Sequence, residues 1–370
     1  MTPFICESAK NNYIIPSNSL NLIRVFKSKM MSFLPIKNRY FQMKKFFWIV
    51  VLIFLSSSLQ ATEKNLRIVT HWSNYLKKNT RFYIYLPNDY QTTHKQFPVL
   101  YLLHGAYGCY KDWVEKTDVE NMADQFDFII VFPDGNPFGW YVNSPIDSSF
   151  QYESYIVKEL IPYVNGHFRA INDRWHRGIC GLSMGGHGAI YLAEKHPDLF
   201  ASASSLSGIM DITKHPNQWH IADRLGPYSR YPDRWKANSC YYLAPKLVGA
   251  HVDLLFDVGR SDFSYPENVR FHLRLSSLGV KHVFEVYEGS HNWQYWGSHI
   301  EEHLKFHNKC FQEKRAGVFE ISGRFEKEIA IIVLLLIFYF LYQVGRKKSK
   351  SVREHRRDIL DRIKKNRWRR

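Results

Sequence analysis

The pentapeptide Gly181-Leu182-Ser183-Met184-Gly185 constrains this chain more than any other stretch, because it follows the apolar run 178–182 and opens a helical pattern from His187 to Lys195. A serine with glycines two residues to either side, set between a strand and a helix, fits a turn so sharp that its centre is strained and flanking Cβ atoms would collide. Such a pentapeptide arises by composition alone in about one chain in ten of this length, so the setting carries the weight rather than the letters.

The setting extends along the middle of the chain. Short apolar runs at 97–103, 128–132, 178–182, 201–206, 252–258 and 282–287 read as strands with helical patterns between them, and 66–70 with 81–86 as a leading antiparallel pair. Strands alternating with helices predict an α/β fold with a mostly parallel, doubly wound sheet flanked by helices. The stretch 211–250, with Trp219, Tyr228, Tyr231, Trp235, Tyr241 and Tyr242, is long for a connection and reads either as a small lid over a site or as an ordinary helical excursion.

A serine hydroxyl is a poor nucleophile until a base takes its proton, so Ser183 calls for a histidine and an acid downstream. Gly289-Ser290-His291-Asn292-Trp293 follows the last expected strand, where a loop can carry an imidazole over the carboxyl edge of the sheet. Of the competing histidines, His104 belongs to another motif, His187 to the helix after the serine, and His282 and His299 to a strand and a helix, where packing or solvent exposure explains them. For the acid, the run 252–258 ends in Gly259-Arg260-Ser261-Asp262-Phe263, placing Asp262 in the turn beyond a strand; Asp257 and Glu267 serve instead if that strand end is displaced by a few residues. Leu102-Leu103-His104-Gly105-Ala106 ends an early strand and resembles an oxyanion loop, with the backbone N–H groups of Ala106 and Met184 as donors. Each such fixed donor is worth about 3 kcal/mol to a developing oxyanion.

Leu100 to Gly105, Pro133-Asp134-Gly135, Gly139-Trp140-Tyr141, Gly181 to Gly186, Gly259 to Phe263 and Gly289 to Trp296 together resemble the esterase D family, over roughly residues 66–306. That family includes S-formylglutathione hydrolases, feruloyl and acetyl-xylan esterases, short-chain carboxylesterases, enterochelin esterases and mycolyltransferases. The resemblance implies an α/β-hydrolase fold, Ser183, Asp262 and His291 as triad, and Ala106 and Met184 as oxyanion amides. Trp140 and Tyr141 are expected to line the substrate pocket.

The net charge of +16 raises the question of nucleic acid, and the location of the charge answers it. Residues 346–370 hold 13 Lys and Arg against three acids and residues 1–45 eight against one, which leaves 29 bases and 30 acids between them. A near-neutral body offers no field to steer a polyanion, so no nucleic-acid partner is expected. The five cysteines show no C-x-x-C pairing and imply neither a metal nor a redox dithiol. A disulfide among the last four is permitted in an exported domain, and Cys180 reads as a small hydrophobe at a strand end.

The ends are read as targeting. Residues 1–42 form a basic, unpatterned extension, expected to be disordered or non-native, with the true start at Met43, Met30 or Met31. Residues 43–61 have the basic, apolar and small-residue regions of a signal peptide. A catalytic domain over 62–311 and a linker over 312–328 then lead to an apolar run, 329–344, expected to anchor in a membrane, and a basic tail, 345–370, held on the cytoplasmic side. The expectation is an exported, membrane-anchored serine carboxylesterase without metal or organic cofactor, acting on a small-molecule, glycan or lipid ester. Export argues against glutathione thioesters, which are cytosolic. The alternative is an acyltransferase that passes the acyl group to a glycan or lipid hydroxyl. Acyl length, disulfide pairing and oligomeric state are not encoded legibly.

Overall fold

The computed structural model describes residues 65–313, together with 334–336, 339 and 357. The extension 1–42, the signal-like segment 43–61, nearly all of the linker 312–328 and most of the apolar run 329–344 and basic tail 345–370 lie outside the described residues. Leu334, Leu335, Leu336 and Tyr339, within the apolar run, are helical and exposed. Among the described residues no helix is long and apolar enough to cross a membrane.

Eight strands form one sheet in the order β1-β2-β4-β3-β5-β6-β7-β8. They are β1 (Leu66–Ser73), β2 (Lys78–Tyr85), β3 (Val99–Leu103), β4 (Ile129–Pro133), β5 (Arg177–Leu182), β6 (Ser202–Leu206), β7 (Asp253–Gly259) and β8 (Val283–Tyr287). β1 pairs with β2 and β2 with β4 antiparallel, and all remaining pairs are parallel. The inner strands β3, β4, β5 and β6 are buried at every position, as strands covered on both faces must be. β8, at an edge, alternates between exposed and half-buried positions.

Four helical segments matter for the site: α1 (152–167), which includes a π-helical stretch Tyr155–Leu160, α2 (Met184–Lys195), α3 (Tyr265–Ser277) and α4 (293–313). The two cores follow from side-chain alternation along the strands. Val99, Tyr101 and Leu103 of β3 face the core that holds Tyr155, Ile190 and Phe271, whereas Leu100 and Leu102 face the one with Trp113, Trp296, Ile300 and Leu304. The stretch 211–250 is a series of short turns, Ile212–Lys214, Ile221–Leu225, Pro232–Lys236, Cys240–Leu243 and Ala244–Leu247. Cys180 and Cys240 are buried free thiols.

Candidate active site

β5 ends at Leu182 and α2 begins at Met184, so Ser183 is the whole turn between them. Its backbone lies at φ 53°, ψ −116°, a region that costs a non-glycine residue about 1–3 kcal/mol and persists only where the surroundings fix it. They do: Ser183 N–H donates to Leu206 O at 2.9 Å, and His187 N–H donates to Ser183 O at 3.0 Å. A Cβ on Gly181 would stand 2.4 Å from Gly185 O, and one on Gly185 would stand 2.5 Å from His104 O. The second approach presses the start of α2 onto the end of β3 and so brings the His104–Ala106 loop beside the serine.

His104 holds that loop in shape. Its Nε2 accepts from Gly135 N–H at 2.8 Å, which leaves the proton on Nδ1 to meet Gly105 O at 2.8 Å. Tyr141 O–H donates to His104 O at 3.1 Å. Trp140 and Tyr141 are consecutive left-handed residues, at φ 55° and 57°, a kink that sends Trp140 into the cavity wall and tucks Tyr141 behind it, fully buried. Tyr141 therefore supports the loop from behind instead of facing the cavity.

The loops after β7 and β8 are laced together by Arg260 N–H to Tyr287 O at 2.8 Å and Ser261 N–H to Gly289 O at 2.9 Å. This lacing sets Asp262 beside His291, whose Nδ1 lies 3.0 Å from both carboxylate oxygens. A carboxylate only accepts, so Nδ1 carries the proton and Nε2 is free to accept from Ser183 Oγ–H at 2.9 Å. Asp262 also accepts from Ser264 N–H and Oγ–H, each at 2.8 Å. Burial alone would raise the Asp262 carboxyl, but the hydrogen bond and charge of His291 and the two Ser264 donors outweigh it and hold it below the usual carboxylate range. Ala106 lines the same cavity as Ser183, and Met184, which opens α2, directly follows it; these are the residues whose amides are expected as oxyanion donors.

The remaining candidates have other partners. Asp257 pairs with His303, Glu267 with His215, His187 with Asn238 O, His282 with His272 and Val280 O, and His299 with Tyr295 O. Among the described residues no group of His, Cys, Asp and Glu could hold a metal ion.

Ser183 and His291 open onto a cavity of about 390 Å³ whose walls are largely aromatic. Rings run in sequence around it: Trp219 to Phe263 at 5.7 Å, Phe263 to His291 at 4.4 Å, His291 to Trp296 at 5.0 Å and Trp296 to Trp293 at 5.2 Å. Beyond them Lys116 Nζ sits 4.8 Å over Trp293 and 2.9 Å from Asp112 Oδ2. Phe263, Trp293 and Trp296 lie inside the motifs that carry Asp262 and His291, but no motif marks them or Trp219 as cavity walls. The available signal is adjacency, since Phe263 follows Asp262 and Trp293 lies two residues past His291. Of the aromatic residues in 211–250, Trp219 lines the cavity, whereas Trp235 is buried against Tyr228 at 5.5 Å.

Comparison with known proteins places the chain among esterases. The family model described as "Putative esterase" matches residues 73–307. S-formylglutathione hydrolase of Mus musculus is 27% identical over 271 residues, covering 66% of this chain and 93% of that protein. A ferulic acid esterase structure superposes with TM-score 0.59 and 30% identity over 66% of this chain and 98% of its own. S-formylglutathione hydrolase of Staphylococcus aureus does so with TM-score 0.59 and 25% identity over 65% and 98%. On the fold, the strained serine turn and the match of this family over most of the described residues, the chain belongs to the esterase D family of α/β-hydrolases, serine hydrolases that act on ester bonds.

Proposed function

We propose that this protein is a carboxylesterase whose nucleophile is Ser183, with His291 as general base and acid, Asp262 as its orienting partner, and the Ala106 and Met184 amides as oxyanion donors. The observation that carries the reading is the unbroken line Ser183 Oγ, His291 Nε2, His291 Nδ1, Asp262, with links of 2.9 and 3.0 Å, starting from a strained serine at the edge of a cavity.

The reaction follows from the proton positions. His291 Nε2 takes the hydroxyl proton as Ser183 Oγ attacks the ester carbonyl carbon, and the ionised Asp262 stabilises the imidazolium that forms. Negative charge gathers on the former carbonyl oxygen, where fixed amides stabilise it without reorganising. Collapse breaks the bond to the leaving oxygen, which receives the proton from Nε2, and leaves an acyl-serine. Water, deprotonated by the same nitrogen, then releases the acid and restores Ser183. The aromatic walls suit a bulky apolar or planar group on the substrate, since a small acyl group fills little of about 390 Å³. An alcohol in place of water would give acyl transfer by the same intermediate.

We further propose export and membrane anchoring, supported by the signal-like residues 43–61, the apolar run 329–344 and the 13 bases after it. Such a chain would fractionate with membranes after alkaline washing; recovery in the soluble fraction would refute the anchor.

The test of the activity is hydrolysis of p-nitrophenyl esters from acetate to palmitate by the full chain beside Ser183→Ala, with glycerol added in parallel. Turnover lost in the variant supports the assignment, and glyceryl ester formation would move it to transfer. Absence of turnover together with no fluorophosphonate labelling of Ser183 would refute it.

A further inference from the structure

We propose that Trp219 is a specificity-determining residue of the cavity, and that His215 and Glu267 form a partly buried latch that positions it. The proposal rests on the esterase reading above and adds the part of the site that selects among esters.

Trp219 stands in a wall built without a strand or a long helix. It and His220 are both left-handed, at φ 48° and 56°, a conformation that bulky residues keep only where their neighbours dictate it. One such neighbour acts at the backbone, where Trp219 O accepts from Trp140 Nε1–H at 3.0 Å. The others act at the ring, with Phe263 at 5.7 Å on the cavity side and His215 at 4.7 Å on the other.

His215 is held at both nitrogens. Nδ1 lies 3.0 Å from Gln218 Oε1, and Nε2 makes a very short hydrogen bond with Glu267 Oε1. Both partners are acceptors, so both nitrogens carry protons and the ring beneath Trp219 is an imidazolium. The Glu267 carboxylate is anchored in turn: Oε2 accepts from Asp211 N–H at 3.3 Å. Asp211 caps the following turn through Thr213 and lies 3.5 Å from Arg270 Nη1. Glu267 and Arg270 belong to α3, which starts just past Asp262 and Phe263. The latch therefore ties the segment carrying Trp219 to the helix that follows the triad acid, and fixes the distance between the two rings of this wall. His215 and Glu267 side chains are only 12% and 11% exposed, so the pair is poorly screened by solvent.

The consequence falls on substrates that reach the wall. An acetyl group engages Ser183 without filling the cavity, whereas an octanoyl group needs apolar surface to lie against, and Trp219 with Phe263 supplies it. The charged and titratable groups facing His215 are Glu267 and Asp211, with Arg270 behind Asp211. Burial alone would lower the His215 imidazole, but the hydrogen bond and charge of Glu267 outweigh it and the net direction is upward. The latch is thus tightest while His215 is protonated and weakens as pH rises through the His215 pKa, because a neutral ring keeps one N–H for Glu267 but loses the ion pair and the bond to Gln218.

The experiment measures kcat and KM of the full chain for p-nitrophenyl acetate and p-nitrophenyl octanoate between neutral and alkaline pH, in wild type, Trp219→Ala, His215→Ala and Glu267→Gln, with circular dichroism to verify folding. Stripping apolar surface from a substrate pocket changes selectivity by about tenfold, so each variant should raise KM for octanoate about that much more than KM for acetate. In wild type the octanoate KM should climb with pH while the acetate KM does not follow. Glu267→Gln, which keeps the shape and removes the charge, should move that climb to lower pH, and His215→Lys should restore octanoate selectivity more fully than His215→Ala. Equal changes for both esters, or a fall in kcat alone, in a folded enzyme would overturn the latch. Wild type that turns over neither ester and is not labelled at Ser183 would overturn the parent reading, and the latch with it.

Discussion

Asp257 and Asp262 leave β7 and the turn beyond it, and each meets a histidine at 3.0 Å: His303 in the interior, His291 at the cavity. The parallel extends to a third group. His303 Nδ1 faces Cys180 Sγ at 3.9 Å, and His291 Nε2 faces Ser183 Oγ at 2.9 Å, with Cys180 and Ser183 three residues apart at the end of β5. Side-chain types therefore cannot separate the two constellations. Access and charge do. The His303 side chain is 1% exposed and that of His291 is 18%, and only the second borders the cavity. Burial alone would lower the His303 imidazole, but the charge and hydrogen bond of Asp257 outweigh it and push it up to about 10. A histidine that stays cationic cannot act as a base near neutrality, so the inner pair fastens α4 to the sheet, while the outer one faces the cavity and the Ser183 hydroxyl.

The comparison breaks most sharply at the nucleophiles. Ser183→Ala should lower kcat by about a millionfold, whereas Cys180→Ala should leave kcat at the wild-type level; steady-state kinetics on both decide it. At the acids, Asp262→Asn should cost about 10⁴-fold in kcat with little change in unfolding midpoint. Asp257→Asn should do the reverse, removing about 3–5 kcal/mol of stability in urea titrations because it strands a buried charge, with the folded fraction still active. If Asp257→Asn abolished turnover without lowering the midpoint, the interior pair would belong to the chemistry after all.

The pH dependence sharpens the same contrast. An unfolded histidine has its pKa near the ordinary value of 6.5, and folded His303 is raised to about 10. Its stabilisation is therefore complete below 6.5 and lost as pH climbs through about 10, so the wild-type urea midpoint should fall across that window and His303→Gln should flatten the fall. The smallest effect concerns an acid with no histidine. Glu194 is wholly buried, neither oxygen has a hydrogen-bond partner among the described residues beyond the weak Cys240 thiol, and burial pushes its carboxyl well up. Its penalty is absent in acid and grows as pH rises above the ordinary carboxyl value, so Glu194→Gln should gain about 1 kcal/mol at neutral pH. Equal midpoints for Glu194→Gln and wild type at neutral pH would refute this.

All eight strands are legible in the sequence: β3 and β4 are unbroken apolar runs, as in Leu100-Tyr101-Leu102-Leu103, the leading pair alternates, as in Lys78 to Tyr85, and β5, β6 and β7, which carry polar residues such as Ser202, Ser204, Ser205 and Asp257, are marked by their place between helical patterns. Ser183, Asp262 and His291 are legible through local turns at strand ends, where type and position coincide. The wall is not. Trp219, Phe263, Trp293 and Trp296 come from three distant segments and meet only in space, and an aromatic residue on a loop looks the same whether it lines a cavity or, like Trp235, fills a core. For that reason the aromatic content of 211–250 suggests a wider reach over the site than the fold gives it: among its named aromatic residues, Trp219 borders the cavity and the others pack elsewhere. Nothing in the sequence pairs Asp257 with His303, because the histidine lies on a helix many residues downstream.

α4 carries Trp293 and Trp296 at one end, and farther along it is fastened to three neighbouring strands. His303 meets Asp257 of β7 and Cys180 of β5, and His307 meets the hydroxyls of Ser202 and Ser204 of β6 at 2.7 and 2.8 Å. A rod about 30 Å long, bolted near its middle, cannot swing at the cavity without shearing those bonds. The entrance thus has a fixed doorpost on the α4 side, and on the Trp219 side a wall of short turns held by side-chain contacts alone. Amide exchange would register the difference as slow exchange over 296–307 and faster exchange over 212–225.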